Sequence, residues 1–155
     1  MFLYHATVRH NLPSILKKGL TRGNPQNFEG MYMDDCVYLS FSPEIGISFI
    51  ENSDSYDGEE DIVVFRIDSR KLDKGFIGYD WNVLCEYERE IVSLTYYKDI
   101  APSDLHLMNE HEIEETKEVT FPDLRYLDED SREIWEIIGN IFDEEVETNM
   151  EEEKG

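Results

Sequence analysis

Apolar positions fall into short runs over most of the chain and take up a helical period only near its end. Phe2–Thr7 is a mostly apolar run that reads as a strand, with Val8–His10 as the turn out of it. Asn11 then reads as a helix N-cap. Pro13 suits the first turn, Ile15, Leu16 and Leu20 fall at helical spacing, and Gly19 is the stop. Residues 21–35 have no period and hold Gly23, Pro25 and Gly30, which predicts a loop. Cys36–Phe41 is a second strand. Ser42-Pro43-Glu44 opens a short helix, Ser42 as its cap and Pro43 at its first position, and Ile45, Ser48 and Phe49 are expected on its inner face.

Asn52–Glu60 is polar and contains glycine, a second loop. Asp61–Ile67 is the clearest strand, apolar enough to be covered on both faces. Further strands are expected at Gly75–Gly78, over Glu90–Tyr97, and near His106–Met108 after a turn at Ile100–Leu105. Glu110–Lys117 is polar with no readable period. From Ser131 onward, Ile134, Trp135, Ile137, Ile138, Ile141, Phe142 and Val146 form one apolar stripe with acids opposite, a helix near 131–147. Many short strands with few helices predict an α+β fold of mixed or antiparallel sheets with flanking helices. The expected division is a core over 1–109 and an acidic extension over 110–155, its helix packed on that core.

At 155 residues the chain is long enough for one domain with its own core, and nine Tyr and eight Phe supply aromatic packing. No run reaches the roughly 18 apolar residues of a membrane span. Residues 1–20 lack a basic start followed by an apolar block, so no secretory signal is read. Cys36 and Cys85 have no metal or redox spacing and read as reduced thiols in a cytoplasmic protein. Charge is the strongest bulk feature: 36 acids against 14 bases, net −22. Residues 110–155 carry 18 of those acids and 4 of the bases, a net −14 against −8 for residues 1–109. Such a field disfavours nucleic acid and favours a basic protein partner.

The candidate chemistry lies in three places. His5-Ala6-Thr7 stands at the exit of the first strand, followed by Asn11, Ile15-Leu16 and Gly19-Leu20. Val37-Tyr38-Leu39-Ser40 is a short apolar strand carrying a tyrosine, with Phe49 eleven residues after that tyrosine. Glu88-Arg89-Glu90-Ile91-Val92 runs into the strand expected over Glu90–Tyr97. There is no zinc spacing around His10, His106 or His111, no phosphate loop and no serine–histidine elbow.

In that order the three segments resemble the ADP-ribosyltransferase superfamily, specifically its His-Tyr-Glu, poly(ADP-ribose) polymerase-like branch. His5-Ala6-Thr7 with Asn11, Ile15-Leu16 and Gly19-Leu20 is similar to the first motif. Val37-Tyr38-Leu39-Ser40 is similar to the second, and Glu90-Ile91-Val92 to the third. The pair Glu88 and Glu90 is similar to the Glu-x-Glu of arginine-directed members. The resemblance covers residues 2–108. It implies cleavage of NAD at the nicotinamide–ribose bond without a metal. His5 would hold ribose hydroxyls, Tyr38 and Phe49 would flank nicotinamide, and Ala6 and Thr7 would line the cofactor. Ser40 would support the site. Glu90 would stabilise the oxocarbenium and bind the 2′-hydroxyl, while Glu88 would orient or deprotonate the acceptor. Ala6 departs from the family's usual glycine, keeping the backbone groups but restricting their torsions. The segment from Tyr38 to Glu90 is short for the long acceptor loop of polymerases, which favours transfer of a single unit.

The chemistry asks for these residue types. The transition state is positive at the anomeric carbon, so a carboxylate stabilises it, and aromatic faces hold the flat leaving ring. Two other classes compete. An RNA 2′-phosphotransferase shares the His-to-Gly-Leu opening but needs several clustered arginines, and the seven here form no basic cluster. A non-enzymatic acidic binding protein would use the same scaffold, with the acidic helix over 131–147 as its working surface.

Overall fold

The computed structural model describes residues 1–22, 36–54, 56–79, 93–116, 134, 136 and 137. Its strands are β1 (Phe2–Val8), β2 (Val37–Ser40), β3 (Ile62–Asp68), β4 (Ile77–Tyr79), β5 (Ser93–Tyr96) and β6 (Leu105–Leu107). Its helices are α1 (Leu12–Lys18), α2 (Pro43–Glu51) and α3 (Glu110–Thr116). The six strands form one sheet in the order β4-β5-β2-β1-β3-β6, and every pairing is antiparallel. The α+β class is thus observed, with a single antiparallel sheet among the described residues. None of the described helices is long and apolar enough to cross a membrane.

Alternation along the strands sorts side chains onto two covered faces. On the first, Leu3, Leu39, Phe65, Ile67 and Leu94 meet Ile15 and Leu20 from the α1 region, Ile100, and Ile134. On the second, Tyr4, Ala6 and Val64 meet Ile50 of α2 and Met108, with Ile47 and Ile113 packed alongside. β3 is buried on both sides, as its unbroken apolar run predicts: Val63, Phe65 and Ile67 face one cluster and Val64 the other. Each large apolar side chain so buried contributes about 1.5–3 kcal/mol. Ile134, with Glu136 and Ile137, is helical, and its side chain is fully buried in the first cluster. The rest of the expected 131–147 stripe lies outside the described residues.

Local signals explain most element ends. Ser42 caps α2 by accepting the Ile45 N–H at 3.2 Å, and Pro43 opens the helix. Gly19 ends α1 with φ +83°, and a Cβ there would run into the Ile100 carbonyl oxygen. That close approach lets Leu20 and Ile100 exchange backbone hydrogen bonds at 2.9 and 2.8 Å.

Four expectations are corrected. Asn11 stands at the N-cap position of α1 but its side chain does not cap the helix: a 3₁₀ turn over Arg9–Asn11 leads into α1, and the Asn11 amide donates to Thr7 Oγ1 at 2.9 Å instead. The inner face of α2 is Pro43, Gly46 and Ile50, while Ile45 and Phe49 are half-buried and Ser48 is exposed. The short strand expected at Gly75–Gly78 is a 3₁₀ turn over Lys74–Phe76 followed by β4. The indeterminate Glu110–Lys117 stretch contains α3, started by a capping box: Asn109 Oδ1 accepts the Glu112 N–H at 2.8 Å, and Glu112 Oε1 accepts the Asn109 N–H at 3.1 Å.

Candidate functional site

β1 runs seven residue pairs against β3 on one side, from Phe2↔Asp68 to Val8↔Ile62. On its other side it is registered with β2 at a single pair, Tyr4↔Ser40. The ladder stops where His5, Ala6 and Thr7 follow on β1 and Leu39, Tyr38 and Val37 precede on β2. There the His5 side chain takes the place of a ladder bond, its Nδ1 lying 2.8 Å from the Tyr38 carbonyl oxygen.

That one contact determines the state of the ring. A carbonyl only accepts, so Nδ1 carries the hydrogen and Nε2 keeps its lone pair. Burial pushes the His5 imidazole below its ordinary range, against the opposing pull of the Tyr38 carbonyl. His5 is therefore neutral at pH 7, with an acceptor at Nε2 that no group among the described residues takes up. A neutral Nε2 accepts from a hydroxyl.

The neighbours of His5 hold it in place. Thr7 is buried and accepts the Asn11 amide, which ties the end of β1 to the turn that follows. Ala6 is buried and faces α2, where a Cβ on Gly46 would lie 3.2 Å from the Ala6 Cβ and 3.0 Å from Ser40 Oγ. Lacking that side chain, α2 seats directly on β1 and β2. Ser40 is buried, with its Oγ 2.9 Å from the Ser42 carbonyl oxygen and 3.2 Å from that of Tyr4. It links β1, β2 and the start of α2. Tyr38 is half-buried on β2, and Phe49 is half-buried on α2, three residues past Gly46. The structure thus brings His5 against the Tyr38 backbone and Ala6 and Ser40 against the start of α2. Glu88 and Glu90 lie outside the described residues.

Sequence reasoning missed Gly46, although glycine inside a helix costs about 1 kcal/mol and so signals a close approach. It also missed Thr95, which sits opposite Tyr38 on β5. The remaining histidines are held by carboxylates: His10 by Glu60 at 2.8 Å, His106 by Glu112 at 2.8 Å and His111 by Glu115 at 2.9 Å. Among the described residues no group of three or more His, Cys, Asp or Glu side chains could hold a metal ion. No protein-family model matches the chain, and no curated protein matches it either.

Proposed function

We propose that this chain is an NAD-dependent mono-ADP-ribosyltransferase that moves one ADP-ribose onto a protein acceptor and releases nicotinamide. The observation that carries the reading is His5, a neutral imidazole fixed through Nδ1 at the point where the β1–β2 ladder stops, its Nε2 unbonded among the described residues and assigned to a ribose hydroxyl. Tyr38 and Phe49 are both half-exposed aromatics and are assigned to the faces of the nicotinamide ring. Ala6, Thr7 and Ser40 line or support the ribose end.

In the proposed reaction the bond between nicotinamide N1 and ribose C1′ breaks, and its electron pair leaves with neutral nicotinamide. Glu90 is assigned to stabilise the resulting oxocarbenium and to hold the 2′-hydroxyl. Glu90 precedes Ser93 of β5 by three residues, a reach of at most about 11 Å, and Ser93 pairs with Ser40. Glu88 takes the proton from the acceptor nucleophile as that group bonds to C1′. The acceptor is assigned to basic proteins, which the net charge of −22 attracts. The reaction is assigned to the cytoplasm. Incubation with labelled NAD and a cell extract, followed by mass spectrometry, tests the reading. ADP-ribose adducts on basic proteins are the expected result, and NAD left intact with no adduct would count against it.

A further inference from the structure

The second face of the sheet is not uniform. Over β1 and β3 it is mostly apolar and joins the cluster beneath α2, with Arg66 over the Phe2 ring on the same face. Over β2 and β5 it presents Tyr38, Ser40, Ser93 and Thr95, none of which belongs to that cluster. Ser40 reaches the carbonyls of Ser42 and Tyr4, and Ser93 donates to the Leu39 carbonyl at 3.0 Å. Thr95 is 3 % exposed, and its Oγ1 has no hydrogen-bond partner among the described residues. A buried hydroxyl left unpaired costs free energy that a valine of the same shape would not.

A second, independent observation lies beside it. Gly78 of β4 pairs with Thr95 from the other side and has no positive φ, so its backbone does not call for glycine. A Cβ on Gly78 would come 2.7 Å from Thr95 Oγ1 and 3.1 Å from the Tyr97 ring. Glycine inside a strand weakens it and marks a place where another group comes close. The strand thus carries two costs at one point and keeps a hydroxyl there. Directly across on β2 is Tyr38, whose side chain stands about 5 Å from that of Thr95 and is half-exposed.

We infer that Thr95 is a ligand-contacting residue whose hydroxyl bonds the carboxamide of a nicotinamide ring held by Tyr38. The inference rests on the NAD reading above and names the group that selects the ring. A hydroxyl both donates and accepts, and so does a carboxamide. The hydroxyl is closed off in this structure, so the ligand reaches it only when a side chain on that face moves to another rotamer.

Titration calorimetry with NAD and with ADP-ribose, which lacks nicotinamide, tests this on the wild type, Thr95→Val and Thr95→Ser. Thr95→Val is expected to bind NAD about tenfold more weakly, to bind ADP-ribose as the wild type does, and to melt no lower. Thr95→Ser is expected to recover most of the NAD affinity. Unchanged NAD affinity in Thr95→Val, equal loss for both ligands, or a clear fall in melting temperature would overturn the role of Thr95 alone. A wild type that binds neither ligand would overturn the NAD reading and this inference with it.

Discussion

His5 Nδ1 donates to the backbone carbonyl of Tyr38 at 2.8 Å, across the point where the β1–β2 ladder ends. The contact joins two segments 33 residues apart and fixes which ring nitrogen carries the hydrogen. It separates the ring nitrogen that serves the fold from the one that the proposed function assigns to a ligand.

That separation is testable with one substitution. Asparagine keeps an N–H donor near the Nδ1 position but offers nothing at Nε2. His5→Asn is expected to lose no more than about 1 kcal/mol of stability while NAD affinity falls about tenfold. Urea unfolding and NAD-induced thermal protection read the two effects separately. Equal protection of mutant and wild type would remove His5 from the site. The pH dependence has a definite sign. The folded pKa of His5 is lowered, so its contribution is complete above the ordinary value of 6.5 and is lost as pH falls through the folded value. Both stability and NAD affinity should therefore show an acid limb below pH 6.5, and His5→Asn should flatten it.

Asp68 gives a second pH effect, away from the site. Its hydrogen bonds to the Arg70 side chain, 2.6 Å at the shortest, are the main cause of a carboxyl pKa lowered from 3.8 to about 2. A lowered carboxylate stabilises fully above its unfolded pKa and loses that contribution as pH falls toward 2. The Arg70 side chain is 69 % exposed, so screening leaves about 1 kcal/mol. Asp68→Asn should lose that amount at pH 7 and converge with the wild type near pH 2 in acid unfolding.

Two glycines with the same φ of +83° should respond differently to alanine. At Gly58 nothing lies within 4 Å of the added Cβ, so only the torsion is strained, at about 1 kcal/mol. At Gly19 the Cβ meets the Ile100 carbonyl, so the Leu20–Ile100 bridge must shift as well, at about 3 kcal/mol. Chemical denaturation of both variants checks the ranking, and equal losses would contradict it.

Ile134 is 0 % exposed and shares a cluster with Leu3 and Phe65. Ile134→Ala should cost about 3 kcal/mol. Truncation after Asp130 removes the same side chain and should lower the melting temperature. A truncated protein that melts with the wild type would mean that this part of the C-terminal region adds nothing to the core.

Elements defined by local chemistry were readable in the sequence. The β3 run, the Ser42-Pro43 start of α2 and the Gly19 stop appear where alternation, cap chemistry and backbone freedom predict them. What depended on distant neighbours was not. The inner face of α2 centres on Gly46, a missing side chain, so hydrophobic pattern pointed to Ile45 and Phe49 instead. Asn11 had two possible uses, and Thr7 took its amide. α3 has no buried residue to set a period, although Asn109 and Glu112 were a readable capping box. In the candidate site the residue types could be read in order along the chain. The His5–Tyr38 contact and the unpaired Thr95 hydroxyl arise only from the pairing of β1, β2 and β5.

The most direct measurement is release of free nicotinamide from NAD by the purified protein, wild type beside Glu90→Gln. Removing one carboxylate from the transition state should slow the reaction by about 10²–10³, with the fold intact by circular dichroism. Nicotinamide release by the wild type that falls by that factor in Glu90→Gln is the predicted result. A wild type that releases none above the uncatalysed rate, or a Glu90→Gln variant that turns over at the wild-type rate, would contradict the account.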